Sequence, residues 1–521
     1  MLFEVLAVLS TPLALLVAIL IGLLCLVVHN RYGAGISHVP GPWLASLSDL
    51  WRYMIARRYR PEMTHIELHE KYGPVVRLGP KSVSISDPAA LQTIYAPNAG
   101  FVKSPFYRVQ QTLSMGQPLL TLFTTLDEVA HARLRRAVSN AYAMSTLVQF
   151  EPFVDSTTSA FLEQMSKRFS HDPESVLDFG AWLQYYAFDV IGELTFSKRL
   201  GFVDGGKDVE GVIGSIERML DYASVVGQIP DLDYVMLKNP FRLLMSRLGL
   251  WQADTPMVRF AKARFAERYG PDGAALEKAE WNAQYRDFLS RFMEANKKDP
   301  EFITQRQVLA LTVANIFAGS DTTAITLRAI FYYLLKNPED LRYLREEIAG
   351  AKKTPEYTRM DGMFDWNQVR QLPFLDAVVK EALRCHPAAG LTLERMVPQG
   401  GTTISGVHLP AGTVVGANAW VVHRDKGIFG EDAARWRPQR WLEADKETKR
   451  RMENHIFSFG MGSRTCIGKN ISLLEMYKMV PAFLDRFDIE FDRPDREWHL
   501  HNAWFVKQSG FFVRLRERHA S

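Results

Sequence analysis

One cysteine in a glycine-rich turn carries the clearest chemistry in this sequence: Phe459-Gly460-Met461-Gly462-Ser463-Arg464-Thr465-Cys466-Ile467-Gly468. An aromatic run, Phe457 to Phe459, leads into the turn, and an amphipathic pattern from about Lys469 to Phe487 follows it. Cys466 then sits at the start of a helix, where the macrodipole favours negative charge and lowers a thiol pKa. Gly462 allows a backbone conformation closed to other residues, and Gly468 lets a flat ligand lie close to the chain. Phe459 can shield the sulfur and Arg464 can face an anion on the ligand edge. Taken alone, a cysteine is more often a small buried apolar residue; the spacing F-x-x-G-x-R-x-C-x-G points to a ligand instead. A dinucleotide-binding loop is excluded, because Thr465 stands where a third glycine is needed.

Three further groupings have chemical types at helical spacing. Ala318-Gly319-Ser320-Asp321-Thr322-Thr323 interrupts an apolar stretch. A glycine, an acid and hydroxyls are poor choices for a buried helix interior, although Ser and Thr can bond back to the preceding turn. His131 and Arg135 lie one turn apart; by themselves, with Arg133 and Arg136 beside them, they read as a solvated basic face. Glu381 and Arg384, three apart, share a face, and Trp436-Arg437-Pro438-Gln439-Arg440-Trp441 brings a second arginine in an aromatic setting. A planar bidentate guanidinium network is the plausible use of such a set.

The four groupings, in this order, resemble the cytochrome P-450 superfamily. The resemblance runs from Pro40 to the C-terminus. It implies a mainly α fold with a small β-rich lobe, and haem b with Cys466 as axial ligand to its iron. It implies that His131, Arg135 and Arg395 bind haem propionates. It makes Glu381, Arg384 and Arg440 a structural triad; Gln439 stands where the family often has Glu. In the motif A/G-G-x-D/E-T it assigns Thr322 to hydrogen bonding at iron-bound oxygen and Asp321 to a proton relay. It places Leu391 to Leu393 along the substrate pocket, where Val313, Phe317 and Trp504 are further candidates. A narrower likeness, to the fungal microsomal pisatin demethylase-like group, rests on Tyr72-Gly73-Pro74-Val75-Val76-Arg77, Phe101-Val102-Lys103-Ser104 and Trp504-Phe505-Val506-Lys507.

The expected activity is therefore a haem-thiolate monooxygenase acting with O2 on a small, largely apolar molecule, by hydroxylation or oxidative O-demethylation in secondary or xenobiotic metabolism. The chain has no flavin or nicotinamide domain of its own, so electrons are expected from a separate NADPH-cytochrome P-450 reductase, with cytochrome b5 a second candidate donor. A haem-thiolate isomerase or dehydratase working without reductase, and a non-catalytic haem-binding protein, are the alternatives. The Asp321-Thr322 pair disfavours both, since neither needs to protonate oxygen.

The elements that must position these residues can be read around them. Thr304-x-x-Gln307 has the form of a capping box, and the helix it opens runs to about Lys336, roughly 50 Å. Asn337 reads as the cap of the next helix, with Pro338 at its first position. Leu372 to His386 reads as a helix, as do Pro61 to Tyr72 and a segment opened by Asp127. Val75 to Leu78 and Ser82 to Ile85 read as a hairpin, and Val407 to Val415 as small strands. Phe101 to Thr125 shows no period and reads as a long loop, a kind usually functional. Leu147 to Lys298 is mostly helical, broken at Gly205-Gly206, Pro230, Pro240 and Gly270-Pro271.

Val5 to Val28 carries no charge and is long enough to span a bilayer. It lacks the charged n-region and small-residue cleavage site of a signal peptide, so residues 1–30 are expected to be a retained anchor. Arg31, Arg52, Arg57 and Arg58 follow it and Glu4 precedes it, placing the body in the cytosol by the positive-inside rule. An endoplasmic reticulum membrane location follows from the resemblance. Residues 31–45, with Val39-Pro40-Gly41-Pro42, read as a stiff hinge, and 46–521 as one catalytic domain, because no Pro-, Gly- or Ser-rich linker divides them. The net charge of +4 argues against nucleic acid as the main partner. Three widely spaced cysteines, at 25, 385 and 466, form no disulfide framework.

Overall fold

The structure is a computed structural model that describes residues 2–172, 174–252, 254–270, 287–357, 359 and 363–518. Pro271, one of the expected helix breaks, lies outside these. Among the described residues, two helices have the length and apolar content to cross a membrane. The first span, Leu13–Gly33, overlaps α1 (Leu2–Val28) and is bare: Leu15, Leu20 and Leu24 are all exposed. The second, α5 (Gln305–Lys336), is mostly buried in the body. The two are similar in apolar composition and differ in burial, so the exposed one is the candidate membrane anchor.

Between α1 and the body the chain does not hang free. His29–Gly33 continues as a wide turn, and Ile36 and Val39 are buried in the β-rich lobe. The lobe is a five-stranded sheet of β1 (Val75–Arg77), β2 (Ser82–Ile85), β3 (Val102–Lys103), β4 (Arg395–Met396) and β5 (Val414–Ala417), in spatial order β1-β2-β5-β4-β3. The β1–β2 hairpin is antiparallel and β5 lies parallel to β2. β3 comes from the stretch expected to be a long loop. It is ordered by antiparallel pairing with β4, which sets Lys103 opposite Arg395. A two-residue strand with a distant partner leaves no local period, so the sequence pattern does not reveal it. The same stretch holds a helical turn at Phe106–Val109 and a small hairpin of Leu113–Ser114 with Gln117–Pro118.

The helical part is built around α5. Thr304 Oγ1 accepts the Gln307 N–H at 3.2 Å, but the Gln307 amide reaches Leu120 O instead of turning back, so only half the expected capping box forms. The Asn337 side chain likewise donates to Tyr333 O and does not cap the next helix, whose start relies on Pro338 and acidic residues. α4 (Phe179–Phe196) packs along α5, joined by the buried Arg328, which donates to Gly180 O at 2.6 and 2.8 Å and to Gln184 Oε1 at 3.1 Å.

α6 (Pro373–Cys385) carries the ion cluster. The Glu381 carboxylate accepts from Arg384 Nη2 (2.7 Å) and Nε (2.9 Å), from Arg440 Nε (3.1 Å), from the Arg437 backbone N–H (2.8 Å) and from Trp441 Nε1 (2.9 Å). Burial pushes this carboxyl up, but Arg384 and Arg440 outweigh it and hold the group below its ordinary range. Gln439 turns away to Asp340, so it takes no part in the cluster. Breaking a buried pair of this kind costs about 3–5 kcal/mol.

His423 relays this cluster to the aromatic run before Cys466. One ring nitrogen bonds Arg384 O at 2.9 Å, and the other, Nε2, lies 2.7 Å from the Phe457 backbone N–H. Because Nε2 must accept, the ring is neutral with its proton on Nδ1. Burial drives the pKa of His423 from 6.5 down to about 3. The unfolded chain therefore takes up a proton there below about pH 6.5 while the folded chain does not, and stability falls with pH by about 1.4 kcal/mol per unit from this ring alone. Urea unfolding of His423→Gln between about pH 6 and pH 5 should show a slope shallower than wild type by about that amount; an unchanged slope would mean that the ring is already protonated in the fold.

Candidate active site

The Cys466 loop is shaped by one close approach. Gly462 has φ +69°, and a Cβ there would fall 1.7 Å from Tyr95 O, so no other residue fits. Cys466 N–H donates to Phe459 O at 2.8 Å and closes the turn. Arg135, on α3 (Glu128–Val138), donates to Thr465 O at 2.8 Å. α7 (Lys469–Arg486) then begins, with the backbone N–H groups of Gly468 and Lys469 directed at the sulfur. Gly468 itself has an ordinary φ of −83°, and its missing side chain only leaves room beside the sulfur, 3.9 Å from where a Cβ would sit.

Cys466 is exposed, yet the protein around it desolvates the sulfur enough that burial pushes its thiol up. The two backbone N–H groups and Arg135 pull the other way and do not prevail. The sequence expectation of a lowered pKa from the helix start is thus corrected: desolvation is the larger effect. Cys466 is thus reachable from outside while the protein around it still desolvates its thiol.

The middle of α5 supplies a second open surface. Ala318 is exposed although the helix around it is buried, and Ala314 and Thr322, one turn to either side, are half-buried. Thr322 Oγ1 donates to Ala318 O at 2.7 Å. Thr323 Oγ1 lies 2.8 Å from Ser472 Oγ, which joins this part of α5 to the helix that follows Cys466. Asp321 is buried and points away from the open strip. It accepts from Gln184 on α4, and burial raises its pKa against the pull of Lys507 and Arg328.

Of the pocket candidates, Phe317 flanks the strip, with Phe505 at 6.3 Å. Leu391 is buried, and the Gly390 N–H beside it donates to Trp504 O. Trp504, at φ +82°, is packed among Phe106, Tyr107 and Phe123. Val313 does not belong with them: it is buried about 140° around the helix from Ala318.

Five basic side chains gather at the same end. Lys103 and Arg395 are opposite each other on β3 and β4, and His131, Arg135 and Arg464 join them within electrostatic reach. Arg464 already has an anion: it meets Glu128 at 2.7 Å and the carbonyls of Leu122 and Thr125. Among the described residues the other four make no ion pair with a carboxylate. Burial and the surrounding charges drive His131 down to about 3, and burial with Arg395 and Arg464 holds Lys103 well below its ordinary value. Lys103 is fully enclosed, its ammonium 4.2 Å and 4.3 Å from the rings of Tyr107 and Phe123, and it donates to Phe123 O. It was not singled out as a site residue from sequence. The signal was a lone lysine within Phe101-Val102-Lys103-Ser104-Pro105-Phe106-Tyr107, where a charge has no business without a ligand. Crowded, desolvated basic groups without counter-charges call for an anion.

The family model for cytochrome P450 matches residues 40–512. This chain belongs to the cytochrome P450 family. It is 46% identical over 454 residues to a cytochrome P450 monooxygenase of Aspergillus terreus, covering 87% of this chain and 90% of that protein. It is 43% identical to cytochrome P450 monooxygenase cicH of Emericella nidulans, over 93% of this chain and 94% of that one. It is 39% identical to cytochrome P450 monooxygenase mpaDE of Penicillium brevicompactum, over 92% of this chain but 55% of that longer protein. The chain is accordingly an oxidoreductase of the monooxygenase type, and P450 monooxygenases in general use haem, O2 and a redox partner. None of these three relatives has a demethylase name, so the narrower group stays part of the proposal below.

The residues present fit haem. An exposed, desolvated thiol can meet an iron, an open strip of small residues can face a flat ring, and four basic groups without a carboxylate partner among the described residues can take two carboxylates. If Lys103 serves that anion, Lys103→Met should release haem to a scavenger roughly tenfold faster, while the haem-free protein is as stable as wild type or more so. A haem-free protein that is less stable, with haem release unchanged, would make Lys103 a purely structural donor to Phe123.

Proposed function

We propose that this P450 inserts one oxygen atom from O2 into a small, largely apolar molecule, by hydroxylation or oxidative O-demethylation, in fungal secondary or xenobiotic metabolism. What supports the reading is Cys466, exposed yet desolvated at the start of α7, and the open Ala314–Ala318–Thr322 strip of α5, whose neighbour Thr323 meets Ser472 on α7. In this reading Cys466 would hold the iron of haem b, with Phe459 shielding the sulfur and the Lys469 ammonium 5.6 Å from the centre of the Phe459 ring. His131, Arg135, Arg395 and Lys103 hold the propionates. Arg464, engaged by Glu128, positions the loop. Glu381, Arg384 and Arg440 keep that loop seated through His423. Haem, when bound, supplies oxygen activation at iron, with the thiolate pushing electron density toward O–O cleavage.

The chain supplies the protons. Thr322 can donate and accept at once; its hydroxyl is turned back to Ala318 O and must rotate to donate to a bound ligand. Asp321 is biased toward its protonated form by burial, and so can hold a proton for Thr322. The ion pair of Lys507 with Glu217, which reaches the surface, gives Asp321 a polar neighbour on the solvent side. The pocket wall of Phe317, Leu391 and Trp504 favours an apolar substrate. Electrons come from NADPH-cytochrome P450 reductase, with cytochrome b5 as a second donor, and α1 holds the protein in the endoplasmic reticulum membrane with its body in the cytosol.

A reconstituted assay reading NADPH, hydrogen peroxide and product together tests the relay. Thr322→Ala should keep consuming NADPH while peroxide rises and product per NADPH falls. Asp321→Asn should slow NADPH consumption itself. Unchanged product per NADPH in Thr322→Ala would remove Thr322 from the relay.

A further inference from the structure

Arg77 is 1% exposed and, among the described residues, meets no carboxylate. Its guanidinium is spent on five backbone carbonyls: Asn30 O (2.7 Å), Arg31 O (3.0 Å), Ile36 O (3.3 Å), Gly79 O (3.1 Å) and Pro80 O (2.8 Å). Asn30 and Arg31 belong to the turn that ends α1. A helix leaves its last carbonyls unsatisfied and its C-terminal end partly negative. Arg77, fixed on β1, therefore caps the end of the anchor from within the body.

The surrounding contacts tighten the same joint. The Arg77 backbone N–H donates to Pro40 O at 2.7 Å, and Gly41 passes so near that a Cβ there would fall 2.3 Å from Arg77 O. Asn30 Nδ2 donates to Leu47 O at 2.7 Å. Gly35, at φ +72°, lies against Pro410, where a Cβ would be 2.8 Å from the ring. Ile36 is fully buried in the β-lobe core. The segment read from sequence as a hinge is a packed collar around the first strand. Trp43, Leu44 and Leu50, exposed apolar residues, follow directly after it.

We propose that Arg77 is the residue that fixes the direction of the anchor helix against the catalytic body, so that the enzyme meets the bilayer at one set tilt rather than swinging on a tether. The proposal rests on the reading of α1 as a membrane anchor. A fixed tilt keeps the Trp43–Leu50 face at the lipid surface.

The test uses the full-length holoenzyme in lipid nanodiscs, with spin labels on the native Cys25, exposed on the anchor, and on an introduced Glu447→Cys. Pulsed-EPR distances in the otherwise wild-type chain should form one narrow peak. A Gly-Ser-Gly insertion between Val28 and His29 adds about 10 Å of flexible reach and should broaden the peak accordingly. Arg77→Met should broaden it toward the insertion variant while the haem spectrum of the body is retained. If Arg77→Met does not load haem, Arg77→Lys, with three donors in place of five, is read in the same way. A wild-type distribution as broad as that of the insertion variant, or an unchanged peak in a haem-loaded Arg77 variant, overturns the proposal. Failure of the wild type to enter the nanodisc overturns instead the anchor reading beneath it.

Discussion

The carboxylate of Glu381 is the constraint on which the rest of the structure depends. It is buried and ionised, and it is surrounded by donors from α6 and from the segment around Arg437–Trp441. Arg384, held by that carboxylate, sends its remaining donors to the carbonyls of His423, Ala433 and Arg435. His423 in turn bonds Arg384 O and meets the Phe457 N–H, and Ser458 donates to Leu383 O at 2.5 Å. A continuous line of short polar contacts thus runs from α6 to the residues just before the Cys466 loop. A glycine-rich turn has little stiffness of its own, so its position is borrowed from this buried network.

The loop and α5 then meet opposite requirements. Most of α5 must be buried to hold the helical part together, yet one strip of it is left open at Ala314, Ala318 and Thr322. Small side chains at one-turn spacing meet both demands, because they remove bulk from a single face without breaking the helix. The basic cluster follows the same logic in electrostatic terms. Lys103, His131, Arg135 and Arg395 are desolvated together with no carboxylate among the described residues to pair them, an arrangement that favours the state in which an anionic ligand is present.

Much of this was legible in the sequence because the residues involved are chemically expensive where they stand. A cysteine among glycines, an acid and hydroxyls inside an apolar helix, and Glu381 with Arg384 three residues on mark positions that packing alone does not explain. What stayed hidden was decided by distant partners. Lys103 acquires its meaning from β4, nearly three hundred residues away, and from the rings that enclose it. Asn337 has the residue type of a cap but spends its side chain on Tyr333 O. The thiol of Cys466 was expected to be acidified by its helix, but the depth of its enclosure, invisible in a linear sequence, dominates. Residues 31–45 read as a hinge because their prolines and glycines do not disclose the buried arginine they wrap.

The central claim is that the sulfur of Cys466 is the ligand that holds the haem iron. The most direct measurement is the absorption spectrum of the reduced protein under carbon monoxide, for wild type and for Cys466→Ala. Thiolate ligation predicts a red-shifted Soret band in the wild type that is absent from the variant, since a neutral ligand cannot supply the same electron push. A variant that keeps both the red-shifted band and activity would place the ligand elsewhere and contradict the account.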